Sequence, residues 1–264
     1  MSGRRTFLCL AALVAATLSG GPPALATPTP GAPTKWIQRI DSVVDGEPIS
    51  VEIAFGGQVL YRHKDWVARP PASNEKLLLS LAILDRLAPS TTVPLRVLTT
   101  SAPVDGVIEG DLWIVGHGDP ETGPDDMQEL ASAIAAQGIR RIRGHVYGAT
   151  GPFGRDWFAP GWKDYFPKYY IALPTALTFE GNVGPNGTHI DDPERRAAGS
   201  LTAQLEHRGV RVTKKPGSGA APAKLQGLAT VISDPLGAML KRMNTESRNF
   251  YAEFLAALDV VERS

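Results

Sequence analysis

The sequence is poor in the residue types that bind metals and form disulfides. Its 264 residues include one cysteine, Cys9, and five scattered histidines. One cysteine near the N-terminus forms no disulfide within the chain and provides no cysteine metal site. His117 lies in the segment Gly-His-Gly-Asp-Pro without a second ligand at metal-binding spacing, so it is interpreted as a solvated or hydrogen-bonded loop histidine. We therefore expect no metal ion and no other cofactor.

The sequence also lacks an excess of charge. Its 27 Lys and Arg residues balance its 27 Asp and Glu residues, and the formal net charge is +0 at pH 7. Proteins that bind nucleic acids or anionic surfaces carry an excess or a cluster of basic residues. We therefore expect no nucleic acid partner, and the composition is that of an ordinary globular protein.

No apolar run is long enough to span a bilayer, and the one at the N-terminus predicts export. It covers residues 7–18 and follows an Arg-Arg pair. An Ala-Leu-Ala triplet ends at residue 26, so residues 1–26 are predicted to be a signal peptide. The arginine pair fits a twin-arginine signal, and general secretion is equally compatible. Residues 27–34 are rich in Pro and Thr and predict an extended linker, which gives an exported protein of the periplasm or cell wall.

One serine and one lysine have the spacing of a nucleophile and its base. Residues 70–87 have the sequence PPASNEKLLLSLAILDRL. The prolines exclude a helix before them, and the apolar run after Lys76 predicts a helix that is buried on most sides. Ser73 and Lys76 are three residues apart and share one face of that helix. A lysine against an apolar wall loses its proton more easily than one in water, and a neutral amine beside a hydroxyl can activate it.

Two patterns have a structural interpretation beside the functional one. Ser-x-x-Lys is a short pattern, and Ser73 could simply cap the helix while Lys76 is a solvated residue of the first turn. Residues 153–170 are rich in aromatic side chains. They predict either a loop that is fixed by aromatic packing or the wall of a cleft.

Two motifs, in chain order, resemble those of one enzyme family. The sequence Ser-Asn-Glu-Lys at residues 73–76, preceded by Pro-Ala, resembles the first active-site motif of penicillin-recognising serine enzymes. The sequence Ser-Arg-Asn at residues 247–249, followed by Phe-Tyr-Ala-Glu, resembles their second, Ser-x-Asn motif. Further stretches in the family's order are residues 106–120, 161–162, 169–170 and 173–182. The chain is thus similar to the D-alanyl-D-alanine carboxypeptidase/endopeptidase branch, the class C low-molecular-mass penicillin-binding proteins.

The resemblance implies a fold of the α/β (α+β) class. Its members have a β-lactamase/transpeptidase-like domain, a sheet with helices on both sides, and this branch inserts a domain between the first and second motifs. Here residues 35–94 and 228–264 would form the transpeptidase-like domain, and residues 95–227 would form the inserted domain. The insert looks shorter than in the larger members of the family.

The resemblance also implies roles for four residues. Ser73 Oγ would attack the carbonyl of the D-Ala–D-Ala bond, and Lys76 would take its proton. Ser247 would relay a proton to the leaving D-alanine, while Asn249 would bind the substrate amide and keep Lys76 in place. Water would then release the acyl-enzyme. Peptidoglycan stem peptides are the implied substrates and β-lactams the implied covalent inhibitors. Arg248 stands where relatives often carry Asp, which is a mild departure.

The family's third motif, Lys-Thr-Gly or Lys-Ser-Gly, does not occur in the sequence. In the family it lies on a strand downstream of the second motif, where it binds the substrate carboxylate and supplies an oxyanion-hole N–H. Residues 214–217, Lys-Lys-Pro-Gly, precede the second motif and contain a strand-breaking proline. We expect a chain truncated before this motif, with weak or no turnover, because loss of one oxyanion donor costs about a hundred- to a thousand-fold in rate.

Three functions are compatible with these patterns. The first is a serine DD-peptidase of the cell wall, favoured by Ser73, Lys76, Ser247 and Asn249. The second is a non-catalytic protein that binds peptidoglycan or a partner, favoured by the missing third motif. The third is a β-lactamase-type hydrolase, and the insert-like stretch at residues 106–182 argues against it.

Overall fold

The computed structural model describes residues 34–151, 153, 161–170, 172–173, 175–190 and 192–261. The predicted signal peptide, nearly all of the predicted linker, and Trp157 and Phe158 of the aromatic stretch lie outside the described residues. The chain divides into two compact units, one up to Pro70 and the other from Pro71 onward. Among the described residues, no helix combines the length and apolar character needed to cross a membrane.

The first unit consists of one helix and one hairpin. Helix α1 (Lys35–Val44) precedes strands β1 (Val51–Phe55) and β2 (Gln58–His63), which pair antiparallel. Gly56 and Gly57 connect the strands with φ values of 56° and 80°. A two-residue hairpin turn needs such left-handed conformations, and glycine adopts them without steric cost.

The second unit contains two sheets and most of the helices. Its strands are β3 (Pro94–Thr99), β4 (Val107–Ile108), β5 (Leu112–Val115), β6 (Arg141–Ile142), β7 (Val146–Ala149), β8 (Arg211–Val212), β9 (Gly217–Gly219) and β10 (Gln226–Ile232). Its helices are α2 (Glu75–Leu84), α3 (Pro124–Ala136), α4 (Phe166–Tyr169), α5 (Pro193–His207), α6 (Leu236–Glu246) and α7 (Asn249–Val261). This mixture of strands and helices confirms the predicted α/β class.

The larger sheet has the strand order β10-β3-β5-β7-β9. The pairs β10–β3 and β3–β5 are antiparallel, while β5, β7 and β9 run parallel. A small parallel sheet has the order β4-β6-β8. Helices α3 and α5 pack on each other, α3 contacts β10 and α5 contacts β7. Apolar residues of both helices are fully buried there, among them Met127, Leu130, Ile134, Leu201 and Leu205.

The chain enters and leaves the predicted inserted domain along two paired strands. Pro94 of β3 lies opposite Ile232 of β10, and Thr99 lies opposite Gln226. An inserted domain requires its two ends to lie side by side, and this pairing is compatible with that. The assignment of residues 95–227 to an inserted domain stays a prediction.

Helices α2, α6 and α7 form a separate cluster outside the sheet. They contact one another and bury apolar residues between them, among them Ile83, Leu240, Met243, Tyr251 and Leu255. The expectation that α2 is buried on most sides is wrong. Its leucines Leu77, Leu78 and Leu81 are 55%, 65% and 66% exposed. The apolar run predicted burial correctly for one face only, because α6 and α7 cover that face and leave the other open.

Candidate active site

Ser73 lies on a 3₁₀ turn, Ala72–Asn74, that continues directly into α2. The two prolines before the turn end any preceding helix, and Ala72 has a φ of 49°. A residue with a Cβ rarely adopts this left-handed conformation, and such residues concentrate at functional sites. Asn74 is the N-cap of α2 and its side chain makes no capping hydrogen bond. The interpretation of Ser73 as a helix cap is therefore wrong.

Lys76 is buried, with 8% of its surface exposed. Its Nζ donates a hydrogen bond to Ser73 Oγ at 3.2 Å and another to Asn249 Oδ1 at 2.8 Å. The interpretation of Lys76 as a solvated first-turn residue is therefore also wrong. The second bond connects positions that are 173 residues apart. The Ser-x-x-Lys and Ser-x-Asn segments, identified separately in the sequence, thus meet at one amine.

The Ser-x-Asn segment forms the turn between α6 and α7. Ser247 has a φ of 55°, which ends α6 in the left-handed conformation and lets α7 start at Asn249. The N–H groups of Ser247 and Arg248 both donate to Met243 O. The Ser247 side chain is exposed and makes no hydrogen bond with any described residue. The structure therefore brings Ser73, Lys76 and Asn249 into contact, and it places Ser247 two residues away on the same turn.

Two cavities meet at Asn249. One, of about 630 Å³, is lined by Ser73 and Lys76, and Trp162 and Phe166 form part of its wall. The other, of about 650 Å³, is lined by Ser247 and Arg248. The aromatic stretch thus supplies a cleft wall, and its rings also pack together, with Phe166 and Tyr165 edge to face at 5.2 Å. Both interpretations of this stretch hold for its described part.

A hydrogen-bonded bridge ties α2 to α6 behind the lysine. Ser80 Oγ donates to Lys76 O at 2.8 Å and accepts from Asn244 Nδ2 at 2.9 Å. Ser80 is buried, so both bonds are made away from water, where an unpaired polar group is costly. Neither Ser80 nor Asn244 is among the residues predicted from the sequence, because nothing in the spacing of distant residues indicates their contact.

Glu121 anchors the start of α7 to the loop that follows β5. Tyr251 Oη donates to Glu121 Oε1 at 2.6 Å, and Arg242 Nη2 donates to Glu121 Oε2 at 2.5 Å. Burial, followed by the hydrogen bond to Glu121, raises the pKa of Tyr251 to about 12. Nearby Asp119 is buried, and burial raises the pKa of its carboxyl to about 7. This loop therefore fixes the second motif to the sheet.

Glu253 is a further acidic group in the cavity of Ser73 and Lys76. It lies four residues after Asn249 on α7, so the two side chains share one helical face. Burial raises the pKa of the Glu253 carboxyl, and the charge of Lys76 lowers it by a smaller amount. Two sequence signals could have singled out Glu253: its spacing from Asn249, and its place in the Phe-Tyr-Ala-Glu stretch that follows the second motif.

The site contains no candidate metal centre. Within the described part of the chain, no three His, Cys, Asp or Glu side chains cluster in a way that could hold a metal ion. His117 instead makes a hydrogen-bonding contact from its Nδ1 to Pro94 O at 2.9 Å. The arrangement that remains is a serine, an amine and an amide in mutual contact, which is suited to nucleophilic acyl transfer.

Comparison with known proteins shows the family of the chain. The model of the D-Ala-D-Ala carboxypeptidase 3 (S13) family matches residues 44–188 and 183–260. The chain belongs to this family. A D-alanyl-D-alanine carboxypeptidase of Actinomadura sp. (strain R39) is 30% identical over 178 residues, which cover 63% of this chain and 32% of that protein. The resemblance to the class C penicillin-binding proteins is confirmed.

Solved structures support the fold assignment. Penicillin binding protein 4 (dacB) from Haemophilus influenzae matches with a TM-score of 0.66 and 18% identity over 78% of this chain and 61% of that one. The same protein complexed with a β-lactam matches with a TM-score of 0.61, 17% identity, and coverage of 78% and 60%. At this identity the likeness shows the fold alone. The chain thus spans about a third of the length of its carboxypeptidase relative and about three fifths of the length of the solved structures.

Proposed function

We propose that the chain is a serine-type D-Ala-D-Ala carboxypeptidase or endopeptidase that acts on peptidoglycan stem peptides. The observation that supports this most is the position of the Lys76 amine, buried and hydrogen-bonded to both Ser73 Oγ and Asn249 Oδ1. A buried amine beside an exposed serine hydroxyl combines a base with an accessible nucleophile. β-Lactams are proposed as covalent inhibitors of the same serine.

The proposed reaction begins with the transfer of the Ser73 proton to Lys76 Nζ. Ser73 Oγ attacks the carbonyl carbon of the penultimate D-alanine, the peptide C–N bond breaks, and D-alanine leaves with a proton relayed through Ser247. Asn249 Oδ1 already accepts from Lys76, so its Nδ2 is left to donate to a substrate carbonyl. Water then attacks the ester carbonyl and regenerates the Ser73 hydroxyl.

Release of D-alanine from a stem pentapeptide ending in D-Ala–D-Ala tests this function. We expect release that depends on Ser73 and is lost in Ser73→Ala, while Ser42→Ala, an exposed serine of α1, retains it. The sequence contains no Lys-Thr-Gly, so the expected rate is low and long incubations are needed. A folded wild-type chain that releases no more D-alanine than Ser73→Ala would contradict the proposed function and would favour a binding protein.

We also propose that residues 1–26 direct export and that residues 95–227 form the inserted domain. The Arg-Arg pair, the apolar run and the Ala-Leu-Ala triplet support export. N-terminal sequencing of the processed protein should begin at Thr27.

The pairing of β3 with β10 supports the inserted domain, because both ends of residues 95–227 lie in one sheet. Limited proteolysis should then cut in the loops before β3 and after β10 and leave a resistant fragment that contains residues 95–227.

A further inference from the structure

Asn244 is a side chain of α6 that the proposed reaction does not use. It is half-buried, and its Nδ2 donates a hydrogen bond to Ser80 Oγ of α2 at 2.9 Å. Within the described residues, no other hydrogen bond joins α2 directly to α6. The side chains of α6 and α7 that bind Glu121 tie these helices to the loop after β5 instead. Asn244 therefore provides the polar link between the helix that carries Lys76 and the helix that precedes the Ser-x-Asn turn.

The hydrogen-bonding capacity of Ser80 fixes which end of the Asn244 amide faces it. The Ser80 hydroxyl has one hydrogen, which it donates to Lys76 O at 2.8 Å, so its oxygen can only accept from Asn244. Asn244 Oδ1 is buried and has no hydrogen-bond partner among the described residues. An unpaired buried amide oxygen lowers the stability of a fold. Stability alone therefore does not account for an asparagine here, which points to a role in the site.

The bridge through Asn244 and Ser80 closes a ring that begins and ends at Lys76. Asn244 donates to Ser80, and Ser80 donates to the Lys76 carbonyl. Three residues after Asn244, Ser247 ends α6 in the left-handed conformation, and α7 starts at Asn249. Asn249 Oδ1 then accepts from Lys76 Nζ at 2.8 Å. Lys76 is thus held at both ends, its carbonyl by one side of the ring and its amine by the other.

Apolar packing alone would hold this geometry less precisely. The hydrophobic contacts between α2, α6 and α7 are non-directional, so the helices can slide past one another with little loss. A hydrogen bond weakens steeply with distance and angle, so the bridge opposes sliding of α6 along α2. Such a movement would carry the Ser-x-Asn turn with it and lengthen the bond between Asn249 and the amine. A misplacement of about 1 Å at a reacting group can cost about a hundredfold in rate.

We propose that Asn244 is a positioning residue for the base of the reaction. Acting through Ser80 and the Ser-x-Asn turn, it holds the Lys76 amine beside Ser73 Oγ. The inference rests on the proposed function, in which this amine is the base. Asn244 itself makes no hydrogen bond with the amine or with the Ser73 hydroxyl. Its removal therefore slows acylation and leaves the chain folded.

The rate of acylation by a fluorescent penicillin, measured beside urea denaturation, tests this role. Asn244→Leu keeps the approximate size, removes the amide and leaves the Ser80 hydroxyl bonded to Lys76 O. The rate should fall by about 10- to 100-fold while the urea midpoint does not fall, because the unpaired oxygen is removed as well. Thr245→Val is the matched control. The Thr245 hydroxyl donates to Lys241 O within α6 at 2.8 Å, so its loss should leave the rate unchanged. A rate in Asn244→Leu that stays close to the wild-type rate would overturn the inference.

A double-mutant comparison separates positioning from a general loosening of the helices. Once Asn249 is replaced by alanine, the turn no longer holds the amine, so Asn244→Leu should lower the rate by less than about twofold further. A general loosening would lower the rate by the same factor in both backgrounds, and equal factors would contradict the proposed role. Ser80→Ala opens the same ring at its other member, and it should behave like Asn244→Leu in both backgrounds.

Hydrogen exchange tests the ring without any reaction. The N–H groups of Ser247 and Arg248 both donate to Met243 O, so their exchange reports on the turn. In Asn244→Leu these amides should exchange severalfold faster, while the amides of α3 keep their wild-type rates. Unchanged exchange at the turn would overturn the inference even if the chain is active. Faster exchange at the turn, together with a wild-type chain that is never acylated, would support the ring and refute only the proposed function.

Discussion

Helices α3 and α5 beside the sheet differ from α2 of the three-helix cluster in the side chains that they bury. Around the sheet, α3 and α5 bury leucines such as Leu130 and Leu201 completely. In the cluster, α2 leaves Leu78 and Leu81 about two thirds exposed and buries Lys76 instead. Complete burial of a leucine stabilises a fold by about 1.5–3 kcal/mol. The exposed leucines of α2 therefore add much less to the stability of the fold than buried ones would. The difference indicates that apolar packing determines the buried faces of α3 and α5, whereas the buried face of α2 combines the polar contacts of Lys76 and Ser80 with the packing of Ile83.

The substitution with the largest expected effect tests the polar face of α2. Lys76→Met keeps the length of the side chain and removes the base, so the acylation rate should fall by about 10²- to 10⁴-fold. Stopped-flow or gel-based labelling with a fluorescent penicillin measures the change. Lys241→Met serves as the matched control and should retain the wild-type rate. A rate within a few-fold of the wild type would contradict this expectation, because the buried amine would then have no chemical role.

A pair of leucine substitutions sharpens the same comparison. Leu130→Ala creates a cavity beside the sheet and should lower the free energy of unfolding by about 2–5 kcal/mol. Leu81→Ala removes an exposed side chain of α2, and the change should stay within about 0.5 kcal/mol. Urea denaturation followed by circular dichroism measures both. Equal losses in the two variants would show that the open face of α2 is covered in solution.

Replacement of Asp119, in the loop after β5, should have a smaller, pH-dependent effect on the free energy of unfolding. Burial raises the pKa of Asp119 to about 7, whereas in the unfolded chain this carboxyl ionises near 3.8. Between pH 3.8 and about pH 7, the Asp119 carboxyl is protonated in the folded chain and ionised in the unfolded chain, so unfolding releases a proton. The stability of the folded chain should therefore fall as the pH rises, by up to about 1.4 kcal/mol per pH unit. Asp119→Asn should remove this contribution.

Urea denaturation at pH 5 and pH 8 measures the Asp119 effect. The exposed turn residue Asp105, replaced by Asn, is the matched control and should keep the wild-type pH dependence. An Asp119→Asn variant with the same pH dependence as the wild type would show that this buried carboxyl ionises normally in the folded chain.

The contact between the two motifs could be predicted from the sequence. Each motif is a short run of neighbouring residues, and the family resemblance implies that the two runs meet in one active site. The spacing of Ser73 and Lys76 shows that they share a helical face, and the resemblance assigns Asn249 to Lys76. The supporting residues could not be predicted in this way. Glu121 and Tyr251 are 130 residues apart, and their hydrogen bond depends on how the loop after β5 folds against α7. Which leucines of α2 are exposed could not be predicted from the apolar run either, because such a run predicts a preference for burial and does not specify what covers each face.

Acylation of Ser73 is the most direct test of the central claim that Ser73, Lys76 and Asn249 form a working acyl-transfer site. The folded chain, incubated with benzylpenicillin, should gain the mass of one penicillin. Tryptic mapping should place the adduct on residues 65–76, the peptide that contains Ser73, and Ser73→Ala should gain nothing. A chain that is folded by circular dichroism and gains no adduct, or gains it on another peptide, would contradict the claim.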